Sequence, residues 1–377
     1  MATKSKAQAT GSADTHNGLP GQVVLVLQGG GALGAYQVGV YQAMHEAGIE
    51  PDWIIGTSIG AINGAIVAGN RVEDRFSRLA AFWKGLQHDQ PTAWPWWPAA
   101  GTALANLNTF THGIPGFFEP NPQALWGLQA RVGVERAALY VTAPLRETLL
   151  DLIDIDLLNS GKMRLSLGAV GVADGEMRYF DSRKENIRLE HVMASGALPP
   201  AFPAVKIDGE FYWDGGIYSN TPVEAVLDDV PRRDSLILAV QMWDAAGPEP
   251  ETILQVLGRQ KEIQYASRAK SHLRRQDQIH RLRHVVRELV SRLPESMKDD
   301  PDVGKLASYG CATRMHLVKL VAPRLDGEDH SKDIDFTSAG IGARREAGYA
   351  ATRRMLERKP WQQGDGFLDG IVVHEED

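Results

Sequence analysis

The first half of the chain alternates short apolar runs with stretches of helical spacing. Residues 23–28 (VVLVLQ) are apolar and β-branched over the length of a strand, and glycines follow at once. Residues 32–47 then place apolar side chains on one helical face, and Gly48 is positioned to end that helix. A second strand (53–56) and a second helix (59–68) repeat this order with tight connections. The order predicts an α/β fold with a largely parallel central sheet covered by helices on both faces.

The rest of the chain extends this pattern. We expect further strands at residues 138–142, 165–172, 205–208, 211–213, 236–242 and 315–321, and a last helix at 338–356. A basic helical insertion is predicted between residues 250 and 310, because residues 255–293 carry ten Lys or Arg against three acids. Its charged face is either solvated or attracted to anionic lipid headgroups. Its apolar stripe comprises Leu282, Val285, Val286, Leu289, Val290 and Leu293.

Residues 90–134 interrupt the regular pattern, because they are rich in Pro, Trp and Phe without a clean period. They form either an irregular excursion folded onto the domain or an apolar lid that faces lipid. The aromatic side chains available for such a lid are Trp94, Trp96, Trp97, Phe117 and Phe118.

The two ends of the chain are predicted to lie outside the folded domain. Residues 1–20 lack the apolar core of a secretory signal, and we interpret them as a disordered tail. Residues 361–377 are interpreted as a C-terminal tail, which leaves residues 21–360 as one domain. The chain has no apolar run of about 18 residues, so we expect no membrane-spanning helix. The expected location is the cytoplasm, with peripheral contact to a membrane as an alternative.

Composition excludes several classes of protein. Hydrophobic residues make up 43% and charged residues 23% of the chain, which excludes global disorder. The net charge of −7 argues against a generally basic nucleic-acid-binding protein. Cys311 is the only cysteine, so a disulfide framework and a multi-cysteine zinc site are excluded. The sequence offers no metal-ligand cluster of convincing spacing, and we predict no metal and no cofactor. The oligomeric state stays open.

A glycine-rich segment, GGGALG at residues 29–34, lies between the first strand and the first helix. Glycines there let the backbone turn sharply and leave N–H groups uncovered at a helix N-terminus, where negative charge is attracted. The spacing also satisfies the dinucleotide fingerprint G-x-G-x-x-G. However, the second strand is followed by Gly-Thr-Ser rather than by the acidic residue that holds a ribose. This disfavours nucleotide binding, which stays an alternative.

The pentapeptide GTSIG at residues 56–60 matches G-x-S-x-G and lies between a strand and a helix. The turn is so tight that the residues two positions either side of the serine, Gly56 and Gly60, must be glycine or nearly so. It holds Ser58 at the carboxyl edge of the sheet, over a helix N-terminus that stabilises a developing alkoxide. We therefore predict Ser58 as a nucleophile.

A serine nucleophile requires a base, and the histidines supply no obvious one. His330, in a polar loop after a strand, is the only plausible histidine partner. A different base is offered by Asp214, which ends an apolar strand and is followed by Gly215 and Gly216. An aspartate at the carboxyl end of a strand faces the same crevice as the serine. Burial there would raise its pKa above the ordinary value of about 3.9.

Together, GGGALG, GTSIG and the downstream DGG resemble the motifs of the patatin-like phospholipases. Residues 194–203 (ASGALPPAFP) are similar to that family's connector before the catalytic Asp strand. The end of the domain, with DFT at 335–337 and AGY at 347–349, is similar as well. The resemblance extends over most of residues 22–357.

The resemblance implies a three-layer α/β/α hydrolase domain with a Ser58–Asp214 dyad. The oxyanion hole would be made by the glycine loop: Gly29, Gly30, Gly31 and Gly34. The implied reaction is hydrolysis of ester bonds in phospholipids or related lipid esters through an acyl-enzyme. Many members carry a basic residue in the glycine loop where this chain has Leu33, so any electrostatic help from that position is missing.

Two other functions remain open at this point. The protein could be a general carboxylesterase or thioesterase acting on soluble acyl esters. In a different class, it could be a protein that binds a nucleotide or a lipid headgroup with the glycine loop. The expected partners are a lipid ester substrate and, peripherally, a membrane contacted by the basic helices and the Trp/Phe-rich excursion; no nucleic acid is expected.

Overall fold

A nine-stranded, mostly parallel sheet forms the middle layer of the part of the chain that the structure describes. The structure is a computed structural model that describes residues 18–88, 109, 111–326, 328–362 and 370–375. The strands of this sheet are β1 (Gln22–Leu27), β2 (Trp53–Thr57), β5 (Arg164–Gly171), β6 (Met177–Asp181), β7 (Val205–Ile207), β8 (Glu210–Asp214), β9 (Ser235–Gln241), β10 (Met315–Val321) and β11 (Ile371–Glu375).

The strand order is β11-β10-β9-β1-β2-β5-β8-β7, and β6 also pairs with β5. The pairs from β11 through β5 are parallel, whereas β6, β7 and β8 form antiparallel pairs. Two further short strands, β3 (Glu119–Pro120) and β4 (Tyr140–Val141), pair with each other outside this sheet. The predicted strand at 138–142 is thus reduced to a two-residue ribbon.

Helices cover both faces of the sheet. They are α1 (Ala35–Glu46), α2 (Ile59–Ala68), α3 (Val72–Gly85), α4 (Ala143–Leu152), α5 (Ile155–Leu158), α6 (Leu189–Ser195), α7 (Glu224–Leu227), α8 (Ile253–Ser291), α9 (Glu295–Lys298), α10 (Pro301–Ala307) and α11 (Ser338–Arg358).

Strand β1 shows why the fold has three layers. Alternate side chains point to opposite faces of a strand, so Val23 and Leu25 join one apolar cluster and Val24 and Val26 join another. The first cluster includes residues of α1, α2, α3 and α11, and the second includes residues of α7 together with Leu273 of α8. The predicted α/β/α architecture is therefore confirmed.

Helix α8 lies where the basic helical insertion was expected, and it is a single element of 39 residues. Thr252 caps its first turn by accepting a hydrogen bond from the Gln255 amide at 3.2 Å. None of the described helices is both long and apolar enough to span a membrane.

Two strands depart from the sequence expectations. Strand β6 was not predicted, because its short MRYFD stretch carries arginine and has only two fully buried side chains. Strand β11 lies within the segment interpreted as a C-terminal tail, where Met315 pairs with Ile371 and Lys319 with Glu375. An edge strand that is buried on one face has a weak apolar signal, which is why the sequence did not distinguish it from a tail.

Candidate active site

A cavity of about 180 Å³ opens at the edge of the sheet where β1 and β2 end. Its lining includes Gly29, Gly30, Gly31, Ser58, Asp214 and Gly216. Residues from three separate sequence motifs therefore meet at one place. Larger clefts elsewhere, of about 410 to 510 Å³, contain none of the predicted site residues.

Ser58 occupies a strained turn between β2 and α2. Its backbone has φ 58° and ψ −129°, a conformation that residues other than glycine rarely adopt. A Cβ on Gly56 would lie 2.4 Å from the Gly60 carbonyl oxygen, and a Cβ on Gly60 would lie 2.3 Å from the Leu27 oxygen. The two glycines are thus required by close backbone contacts, and the turn presents the serine to the cavity.

Asp214 reaches Ser58 from the opposite direction. The last residue of β2, Thr57, pairs with Gly168 of β5, and the next residue of β5, Ala169, pairs with Asp214 at the end of β8. Strand β8 runs antiparallel to β5 and therefore also to β2. Its carboxyl end thus meets the carboxyl end of β2 alongside β5. The sequence analysis expected the aspartate at this edge because it ends a strand, and the structure shows that the strand is antiparallel to β5.

The Asp214 carboxyl is almost fully buried, with 1% of the residue exposed. Burial raises its pKa to about 7, while hydrogen bonding with the Ser58 hydroxyl and the Gly216 amide partly opposes that rise. The Gly216 N–H donates to Oδ1 at 2.7 Å. Oδ2 is buried without a partner of full hydrogen-bond geometry among the described residues. Both residues line the cavity, and the carboxyl faces the Ser58 hydroxyl there.

No histidine lines the cavity within the described part of the chain. His330 lies elsewhere, where its Cβ would be 2.9 Å from a Cβ placed on Gly258 of α8. A Ser–His pairing through His330 is therefore not formed. No described group of three or more His, Cys, Asp or Glu side chains is arranged to hold a metal ion.

The glycine loop presents two free amides to the cavity. The Gly29 N–H donates to the Asn220 carbonyl at 3.3 Å, whereas no hydrogen bond within the described residues uses the amides of Gly30 and Gly31. Gly31 has φ 56°, and a Cβ there would lie 2.3 Å from the backbone carbonyl oxygen of Asp333. These two amides can donate hydrogen bonds to a negatively charged oxygen beside Ser58.

Gly34 has a different position from the other loop glycines. It does not line the cavity, and a Cβ on it would lie 2.7 Å from Ile59. Its carbonyl accepts a hydrogen bond from Asn63 at 3.2 Å. Gly34 therefore allows the loop to pack on α2, and its amide is not at the cavity. Gly215 likewise lies beneath the site, where a Cβ would be 2.5 Å from the Gly168 oxygen.

Two side chains that sequence reasoning missed hold the glycine loop in place. The Gly29 carbonyl accepts hydrogen bonds from Asn220 Nδ2 at 3.0 Å and from Trp243 Nε1 at 2.8 Å. Asn220 follows the DGG motif and Trp243 follows β9, so each lies beyond an element that ends at the cavity edge. Their position in the sequence, shortly after an element that ends at the cavity edge, is the signal by which Asn220 and Trp243 could have been predicted.

A buried glutamine completes this support. Gln28 Oε1 accepts hydrogen bonds from the amides of Met242 and Trp243, and Gln28 Nε2 donates to Thr221 Oγ1 at 2.7 Å. The Gln28 carbonyl accepts from Gln37 Nε2 at 2.7 Å. A polar residue at the end of an otherwise apolar strand is thus the link between β1, β9 and the loop that follows Asp214.

The walls of the cavity are aromatic. Phe117 and Phe118, which the sequence left either in an excursion folded onto the domain or in an apolar lid, are 7% exposed and belong to the core cluster, as the folded-on alternative requires. Phe118 lies 4.8 Å from Tyr140 and 5.3 Å from Phe202, measured between ring centroids. The tryptophans of the same excursion (Trp94, Trp96 and Trp97) lie outside the described residues.

Comparison with known protein families shows which family the chain belongs to. A family model described as Patatin-like phospholipase matches residues 25–227, which carry all the motifs of the cavity. A second model, described as Patatin phospholipase, matches residues 263–365 and so includes most of α8. The matches span more than half of the chain, and the protein belongs to the patatin-like phospholipase family.

Curated relatives match over a short segment. Lysophospholipase nte1 of Aspergillus terreus is 47% identical over 70 residues, which is 16% of this chain and 5% of the relative. Patatin-like phospholipase domain-containing protein 6 of Homo sapiens is 44% identical over 61 residues, which is 16% of this chain and 4% of that protein. The match therefore spans only a small part of the length of these relatives.

A solved structure with a similar chain course is VipD from Legionella pneumophila. The TM-score is 0.39 at 14% sequence identity, and the match covers 90% of this chain and 67% of that chain.

Proposed function

We propose that the protein is a serine acyl hydrolase that cleaves carboxylic ester bonds of phospholipids or related lipid esters. The observation that carries this proposal is the meeting of Ser58, strained at φ 58°, with the buried carboxyl of Asp214 on the floor of an apolar cavity. Membership of the patatin-like phospholipase family and the name lysophospholipase of a matching relative support it.

In the proposed mechanism Asp214 removes the proton from the Ser58 hydroxyl as that oxygen attacks the ester carbonyl. A carboxylate with a pKa of about 7 is a far better base at neutral pH than an ordinary aspartate. The Gly30 and Gly31 amides hold the oxyanion of the tetrahedral intermediate. The alcohol leaves with the proton from Asp214, and the acyl group stays on Ser58.

Deacylation uses the same groups. Asp214 takes a proton from a water molecule, whose oxygen attacks the acyl-Ser58 carbonyl, and the same two amides again stabilise the oxyanion. The fatty acid then leaves, and the Ser58 hydroxyl recovers the proton. Every step moves the proton between Asp214 and an oxygen, so the proposed reaction requires no metal ion.

The walls support an acyl substrate. Phe117, Phe118, Phe202 and Phe336 line the cavity together with Ile62, and such a lining favours an alkyl chain over a charged group. We further propose peripheral contact with a membrane, one of the two roles that the sequence analysis left open for the basic helical stretch.

Two other functions are separable by experiment. A general carboxylesterase or thioesterase acting on soluble esters would use the same dyad, but it would gain nothing when its substrate forms micelles. A protein that binds a nucleotide or lipid headgroup with the glycine loop would be stabilised thermally by that ligand and would hydrolyse no ester.

The test is hydrolysis of a p-nitrophenyl acyl ester series and of a phospholipid. Ser58→Ala and Asp214→Asn should each lose at least about a thousandfold in kcat, as expected for groups that act as a unit. His330→Ala is the matched control and should keep the wild-type rate, because His330 lies outside the cavity lining. Full activity in Ser58→Ala, or no hydrolysis by the wild type, would contradict the proposal.

A further inference from the structure

The first turns of α8 carry a group of exposed apolar side chains. Ile253, Leu254, Val256 and Leu257 are 81%, 53%, 50% and 55% exposed; we name these four residues the α8 tip. Helices on a globular domain ordinarily turn such residues toward the core. A contiguous apolar group on the surface marks a site of interaction.

The α8 tip projects from the edge of the sheet that holds the cavity. Tyr265, farther along α8, lines the cavity, and Lys261 Nζ donates at 2.6 Å to Asp333, which lines it as well. Arg259, which follows the tip, donates to the Ala245 carbonyl shortly after β9 ends, so the tip lies at the same edge of the sheet as the cavity. With a rise of about 1.5 Å per residue, Ile253 stands roughly 18 Å along the helix axis from Tyr265.

The other end of α8 lies at the opposite edge of the sheet. His284 Nε2 is 2.9 Å from the Thr313 carbonyl, just before β10 begins. Strand β10 is parallel to β9, and β9 is parallel to β1, so their amino ends share the edge away from the cavity. Of the two ends of α8, only the N-terminal end lies at the same edge of the sheet as the cavity.

The tip has the dimensions of an interfacial anchor. From Ile253 to Gly258 the helix rises about 8 Å, close to the 5–10 Å to which amphipathic segments enter the boundary between headgroups and acyl chains. Directly behind it, Glu262 is shared by three cations: Arg259 at 2.9 Å, Arg324 at 3.0 Å and Lys332 at 2.7 Å. These three cations outnumber the one glutamate that they share, which leaves positive charge next to the tip.

A second copy of the chain is a poorer occupant than a lipid surface. Four aliphatic side chains exposed to this extent present on the order of 300 Å² of apolar area. A standard protein–protein interface buries about 800 Å² on each partner. A lipid surface needs no such area, because each inserted side chain partitions by itself.

We infer that the α8 tip inserts into a lipid surface and sets the cavity mouth against that surface. This inference rests on the proposed function, since it supplies the route by which a lipid substrate enters the cavity. Glu249 and Glu251 precede the tip, so insertion of the apolar side chains should contribute more than attraction to anionic lipid.

The test compares the two ends of one helix. Leu254→Glu with Leu257→Glu changes the tip, and Leu282→Glu with Leu289→Glu is the matched control, because Leu282 and Leu289 are 66% and 62% exposed near the far end. Leu254 lies in the first turn, where an acidic side chain favours the helix, and Leu257 is 55% exposed, so the tip variant should fold. Co-sedimentation with phosphatidylcholine vesicles, with and without anionic lipid, is measured in a Ser58→Ala background to prevent hydrolysis.

The tip variant should lose at least about tenfold in vesicle binding for each leucine, whereas the control should stay within about twofold of the parent. On a soluble p-nitrophenyl ester, both variants with Ser58 intact should match the wild type. Equal vesicle binding by parent and tip variant, equal loss in the control, or no vesicle binding by the parent would overturn the inference. If the protein binds vesicles through the tip but the form with Ser58 hydrolyses no ester, the result would support the role of the tip and contradict the proposed function.

Discussion

The floor and the surroundings of the cavity are built in different ways. The floor is formed by Ser58 in a strained turn and by Gly30 and Gly31 in the loop after β1, and each of these residues belongs to a motif that is local in the sequence. The walls and the mouth are side chains from distant segments, such as Phe117, Phe202 and the α8 tip. The difference suggests that the floor determines the chemistry, while the walls and mouth determine which ester arrives. Variants in the two regions should therefore fail in different ways.

The largest expected effect concerns the stability cost of the buried base. The pKa of Asp214 is about 7 in the folded protein and near 3.8 when unfolded, so the folded state holds a proton that the unfolded state releases between those values. The contribution of this group to the free energy of unfolding is fully present below pH 4, decreases as the pH rises, and is lost above pH 7. The total is about 4 kcal/mol, of which about 3 kcal/mol falls between pH 5 and pH 8.

Urea unfolding of the wild type and Asp214→Asn at both pH values measures this cost. The amide cannot ionise, so the variant should gain about 3 kcal/mol relative to the wild type between pH 5 and pH 8. All other titrating groups are shared and cancel in the comparison. A constant difference between the two proteins would mean that the carboxyl is not held protonated by burial.

The next effect concerns the turn that holds Ser58. Gly60→Ala places a Cβ 2.3 Å from the Leu27 oxygen, so the turn must shift. We expect a loss of about a hundredfold or more in kcat and a destabilisation of about 2 kcal/mol. Gly342→Ala in α11 is the matched control, since its Cβ would meet no atom of the described residues within 4 Å. It should keep full activity and gain up to about 1 kcal/mol; an active Gly60→Ala would show that the turn tolerates change.

The smallest effect concerns the support of the glycine loop. Trp243→Phe removes the Nε1 hydrogen bond to the Gly29 carbonyl, 2.8 Å long, but keeps an aromatic ring. We expect kcat to fall about tenfold with little change in KM, because a looser loop positions the oxyanion amides less well. Trp126→Phe, at a residue 70% exposed, should have no effect. A rise in KM alone would assign Trp243 to substrate binding.

The floor was largely predictable from the sequence because its motifs are local. G-x-S-x-G between a strand and a helix specifies a tight turn by itself, and the turn at Ser58 has the strained backbone that this motif implies. The position of Asp214 was also expected, although the antiparallel direction of β8 was not. Strand direction depends on pairing with β5, which no local pattern encodes.

The walls and the mouth were less predictable because they depend on tertiary contacts. The sequence left Phe117 and Phe118 either in an excursion folded onto the domain or in an apolar lid, and only the fold shows that they pack against Phe202 and Tyr140. The sequence analysis considered the charged face of the basic helical stretch as a membrane contact, and it did not single out the exposed apolar group of the α8 tip. Periodicity identifies an apolar face, but only the fold determines whether another element covers it.

The central claim is that Ser58 is a nucleophile activated by Asp214. The most direct measurement is covalent labelling with a fluorophosphonate at pH 8, followed by mass spectrometry of the digested protein. The account predicts one adduct, on the peptide that contains Ser58, formed at least about a hundredfold more slowly in Asp214→Asn. An adduct on another residue, no adduct at all, or an unchanged rate in Asp214→Asn would contradict it.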